Sequence, residues 1–155
     1  MLDRDTVLSK VDSLDEELSN VLNDKLSTGD APGAADKLRH QLSMAQSYTF
    51  RLSQIKRDME VISIREKRTA LEKLKADEEY VKANVSEKKI MLDDEIAEVK
   101  ARMKHLERIE EILNNRCTTA QSLLKSMNYE EKAHAIPTKQ YVKPVSNNPF
   151  ENPFD

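Results

Sequence analysis

The chain has 155 residues, 34% of them charged and only 5% aromatic, with no Trp. So few bulky apolar residues argue against an ordinary globular core. The formal net charge is −3 with both signs mixed throughout, which argues against nucleic acid as the main partner, because that binding rests on clustered positive charge.

The first residues, Met1-Leu2-Asp3-Arg4-Asp5, contain no apolar run of the signal-peptide kind, so none is expected. An amphipathic helix is predicted over 1–27. Its apolar positions are Val7, Val11, Leu14, Leu18 and Val21, stepping by 4, 3, 4 and 3, which is a heptad seam. Leu8, Leu22 and Leu26 widen it. Asp3 or Asp5 is placed to cap its start and suits the positive end of the helix dipole. A turn follows over 28–33, where Gly29, Pro32 and Gly33 cluster, and it is short enough for the first helix to fold back on the second.

Between Gly33 and Pro137 there is neither Gly nor Pro. With the main helix breakers absent and good helix formers in their place, one long helix is predicted over 34–135. Its early seam is Leu38, Leu42, Ala45, Thr49 and Leu52, with Tyr48, Ile55, Met59 and Ile62 on an adjoining line. The middle is weaker, because Leu71, Leu74, Val81 and Val85 alternate with Glu78 and Lys88. The seam then strengthens through Leu92, Ile96, Val99, Met103, Leu106, Leu113, Cys117, Ala120, Leu124 and Met127, with Glu110 as its polar intrusion. Lys88, Leu92 and Ile96 step by 4 and 4, a stutter that unwinds a left-handed supercoil. A kink or reversal is therefore expected near 84–96, with Asn84-Val85-Ser86 the favoured place. Unbroken, the rod would be on the order of 150 Å long at about 1.5 Å per residue. It could not bury its stripe alone, so it needs a partner strand from itself, another copy or another protein.

Beyond 135 the apolar periodicity ends. Pro137, Pro144, Pro149 and Pro153 stand among Asn, Ser and Lys, so 136–155 is predicted to be a disordered tail. The predicted fold class is therefore all-α: a short N-terminal helix, a turn and a long coiled-coil helix, elongated, with that tail.

The tail holds the most specific signal. It reads Asn148-Pro149-Phe150-Glu151-Asn152-Pro153-Phe154-Asp155. Asn-Pro-Phe occurs twice and each copy is followed by an acid, whereas a given tripeptide of this kind arises by chance at roughly one position in 10⁴. Asn caps a tight turn, Pro presets the next dihedral near −65°, and Phe is left facing outward. The motif resembles the ligands of EH domains, small helical modules of endocytic and recycling machinery. The resemblance covers residues 148–150 and 152–154 alone. It implies that Phe150 and Phe154 enter an apolar pocket and that Glu151 and Asp155 suit the more electropositive EH domains. Two copies add avidity through rebinding.

Other residue groups point to packing. Lys56-Arg57, Arg65 to Arg68, Lys73 and Lys75 could meet anionic lipid or a filament, but i,i+4 partners such as Lys73–Asp77 favour a solvated helix face. His40, His105 and His134 do not converge on a metal or catalytic site. Cys117 is the one cysteine; it fits a reducing compartment and a seam position better than a nucleophile. Glu110 on the seam could select register or partner, since a buried acid needs a pair. No glycine loop able to cradle phosphate is present, and no cofactor is implied.

The sequence thus predicts a non-enzymatic, cytoplasmic adaptor or complex subunit in membrane traffic. Any membrane contact is peripheral, on endosomal or plasma membrane. Its partners are an EH-domain protein and a coiled-coil strand, self or heterologous. The competing expectation is a structural coiled-coil subunit of a cytoskeletal, spindle or kinetochore assembly.

Overall fold

The computed structural model describes residues 2–29 and 31–142, with side chains through Asn128. Five helices follow one another: α1 (Arg4–Asn23), α2 (Ala34–Lys75), α3 (Glu78–Lys82), α4 (Val85–Glu95) and α5 (Ala97–Val142). No strand occurs among the described residues.

Local chemistry starts α1 where the sequence places it. The Asp3 carboxylate accepts from the Thr6 backbone N–H at 3.1 Å and from its hydroxyl at 2.8 Å, which satisfies donors that a helix start leaves free. The helix stops at Asn23, short of the expected 27, because Asp24 is extended at φ −77° and ψ 111°. Gly33 then enters α2 with φ 78°, a left-handed conformation that a Cβ disfavours.

Cross-helix pairs give the topology. Arg4–Glu66, Lys10–Asp58 and Glu17–Arg51 run up α1 and down α2, so these two are antiparallel. Arg4–Glu98, Asp12–Arg102 and Asp15–His105 run up both α1 and α5, so these two are parallel. The result is a three-helix bundle. Its core cluster joins Val7, Val11, Leu14 and Leu18 of α1, Leu52, Ile55, Met59 and Ile62 of α2, and Val99, Leu106, Ile109 and Leu113 of α5. Each fully buried aliphatic side chain contributes about 1.5–3 kcal/mol of transfer free energy.

The single helix predicted over 34–135 is not continuous, although no Gly or Pro lies within it. Side-chain caps replace those breakers. The Asp77 carboxylate accepts from the Glu79 N–H at 3.0 Å. Asn84 and Glu87 form a reciprocal capping box, at 2.9 and 3.0 Å, of the kind that starts helices. The predicted stutter ends at Ile96, and the helix breaks there with φ −107°. The chain reverses through α3 and α4, and α5 returns along α2. The partner strand that the stripe requires is therefore the chain itself. Instead of a 150 Å rod, two helices of about 60 and 70 Å lie side by side, at about 1.5 Å per residue. The helix α5 is described to Val142.

Candidate functional site

The seam residues divide by depth. Val99, Leu106 and Leu113 are buried, while Leu92, Ile96, Met103 and Leu124 are half-buried. Val99, Leu106 and Leu113 belong to the core cluster, and Met103 packs against it. Glu110 is a correction. Ile109 takes the buried place, and Glu110 stands beside it, partly exposed and paired with Lys56 of α2. The step from Leu106 to Ile109 to Leu113 is 3 then 4, which keeps the acid out of the core. Cys117 is a free thiol, half-buried against the cluster. Val81 and Val85, expected on the seam, are exposed instead, because the reversal carries them off the bundle.

One buried polar residue was not foreseen. Gln41 is only 4% exposed. Its amide donates to the Asp24 carboxylate at 2.8 Å and to the Lys25 carbonyl at 2.7 Å, and its carbonyl accepts from the Ser27 N–H at 2.8 Å. One side chain thus holds the backbone where α1 ends, groups that are costly to leave unpaired. The Gln41 hydrogen bond lowers the pKa of Asp24 below the ordinary carboxylate value, helped by the charges of Lys37 and Arg116 and opposed by desolvation. Arg116 of α5 reaches the same turn, donating from Nη2 to the Asp24 carbonyl at 2.6 Å. At the opposite end of α1, Arg4 bonds Glu98 and Glu66 together, and these carboxylates hold its pKa above the usual guanidinium value. Arg65 donates to the Leu2 carbonyl at 2.6 Å. These contacts clamp α1 at both ends.

The residues that carry the most specific sequence signal, Asn148, Pro149, Phe150, Glu151, Asn152, Pro153, Phe154 and Asp155, lie outside the described residues. Among the described residues, no group of three or more His, Cys, Asp or Glu side chains could hold a metal ion, and no helix is long and apolar enough to cross a membrane. No family model matches the chain, and neither a curated protein nor a solved structure matches it.

The structure also exposes apolar side chains that sequence reasoning passed over. Phe50, Val61 and Ile64 stand on the solvent face of α2, while Val81, Val85 and Ile90 stand on the reversal. The α2 group had a readable signal, since a second line of 4–3 spacing runs parallel to the core seam. The stronger apolar line draws the eye, and a weaker one beside it is easily read as solvated surface.

Proposed function

We propose that the protein is a non-enzymatic adaptor of cytoplasmic membrane traffic. Its helical body positions the C-terminal segment, and Phe150 and Phe154 recruit an EH-domain protein. The carrying observation is the doubled Asn-Pro-Phe, each copy followed by an acid. The bundle supports a division of labour, since its core cluster draws on residues from Val7 to Leu113 and needs nothing from 148–155. Such an adaptor would sit peripherally on endosomal or plasma membrane.

The test measures binding of full-length protein to a purified EH domain. A Phe side chain contributes on the order of 1.5–3 kcal/mol when fully buried, and a short peptide ligand that orders on binding loses entropy, so micromolar or weaker affinity is expected. Phe150→Ala and Phe154→Ala should each weaken binding and together abolish it, with unchanged helical circular dichroism. Glu151→Lys with Asp155→Lys should weaken binding to electropositive EH domains, most at low salt. Full retention of binding and localisation by the double Phe variant would overturn the adaptor assignment. The structural-subunit assignment would then take its place, with the open apolar line on α2 as its footing.

A further inference from the structure

The outer face of α2 carries a second heptad line. Phe50, Gln54, Arg57, Val61, Ile64 and Arg68 step by 4, 3, 4, 3 and 4. At about 100° per residue they fall in a stripe about 80° wide, opposite the buried line of Leu52, Ile55, Met59 and Ile62. Phe50 is 68%, Val61 43% and Ile64 62% exposed. No acid lies in this stripe. Asp58 and Glu66 turn to α1, where they meet Lys10 and Arg4. Among the described residues, Arg57 and Arg68 form no ion pair, a state they share with Arg65, Arg108 and Arg116, whereas Arg4, Arg39, Arg51 and Arg102 are paired.

We infer that this stripe is a docking face for an acidic amphipathic helix of a different protein. Three features select that occupant. The 4–3 spacing is the spacing of helix-to-helix packing, in which side chains of one helix enter holes of the other. The two arginines lie in the middle of the stripe, in line with Val61 and Ile64. On a bilayer they would be pressed toward the acyl region, where basic residues belong at the flanks of an apolar face. Against a helix they can each meet a carboxylate. A second copy of this chain fits poorly. Parallel pairing in register sets each arginine against itself, and the antiparallel pairing that puts Val61 on Ile64 sets Arg57 against Arg68. Like charges so placed oppose association. The inference concerns α2 alone and stands whether or not the tail binds an EH domain.

The test uses the full-length protein and two synthetic helical peptides. Both carry Leu opposite Val61 and Ile64; one carries Glu opposite Arg57 and Arg68, the other Lys. The Glu peptide should bind and the Lys peptide should bind more weakly, by roughly three- to thirty-fold for two exposed ion pairs. Arg57→Glu with Arg68→Glu should reverse the preference. Val61→Ser with Ile64→Ser should weaken both peptides. Phe150→Ala with Phe154→Ala should change neither, which separates this face from the tail. Circular dichroism of each variant controls for folding, and all the substituted side chains are exposed. Equal binding of the two peptides, an unreversed preference, or failure of the Glu peptide to bind would overturn the proposal. So would co-sedimentation with vesicles of phosphatidylserine and phosphatidylcholine that depends on Val61 and Ile64 while the Glu peptide does not compete. Concentration-dependent dimerisation lost in the Val61→Ser, Ile64→Ser variant would overturn it in favour of a second copy.

Discussion

The two ends of the bundle reverse the chain by different means. At one end the link between α1 and α2 is tied by Gln41, a buried side chain 14 to 17 residues away in sequence from its partners Ser27, Lys25 and Asp24. At the other, α3 and α4 turn the chain with caps made by near neighbours, Asp77 to Glu79 and Asn84 to Glu87. No residue of α3 or α4 is buried, and Val85 is 86% exposed. The first reversal is part of the tertiary fold. The second is local structure carried at the end of it. Elements with few buried contacts open at low free energy, while those tied to the core open with the whole.

Removing the tertiary tie has the larger expected effect. Gln41→Ala leaves the Lys25 carbonyl and the Ser27 N–H without their partner and should cost about 1–3 kcal/mol in urea unfolding. Amide exchange should quicken across the end of α1 and the start of α2 together, because one side chain holds both. A change confined to Ser27 would mean that the latch is as local as the far reversal, and the contrast between the two ends would fail.

The local caps should matter less. Asn84→Ala removes one half of a capping box on an exposed helix, a change that costs about 0.5–2 kcal/mol of local helix stability. Faster exchange should be confined to the first turn of α4, with the unfolding midpoint of the bundle nearly unmoved. A midpoint shift as large as that of Gln41→Ala would show that the reversal is coupled to the core and sharpen the account in the opposite direction.

These differences mirror what the sequence made legible. The first helix, the glycine turn and the strong line through Val99, Leu106 and Leu113 were readable because periodicity and breakers are local signals. The reversal was half-readable. The stutter at Leu92 and the turn-prone Asn84 marked the place, yet the absence of Gly and Pro suggested an unbroken helix. A capping box breaks a helix as effectively as either residue, and Asn84 with Glu87 was present in the sequence. Gln41 was not readable. Its role depends on Asp24, Lys25 and Ser27 arriving beside it, and polar residues next to an apolar seam are normally solvated. Glu110 was misplaced by one position, since Ile109 fits the packed line equally well on spacing. For the candidate site the balance is reversed: the doubled Asn-Pro-Phe is legible only in sequence, while the open line on α2 became visible only when its opposite face proved buried.

Acid titration offers the finest probe of the latch. Asp24 has its pKa lowered from the ordinary value of 3.8, chiefly by the hydrogen bond from Gln41. A carboxyl group whose pKa is lower when folded leaves the unfolded state with more bound protons over that interval, so stability rises with pH there. The contribution is fully present above the unfolded value and is lost as pH falls through the folded one. Asp3, lowered by its bonds to Thr6, acts with the same sign, so Asp24→Asn should reduce the acid dependence of the urea midpoint without removing it. The same substitution in a Gln41→Ala background should reduce it less, because the main cause of the shift is already gone. Equal reductions in the two backgrounds would assign the shift to Lys37 and Arg116 instead, and would leave Gln41 holding only the backbone of the turn.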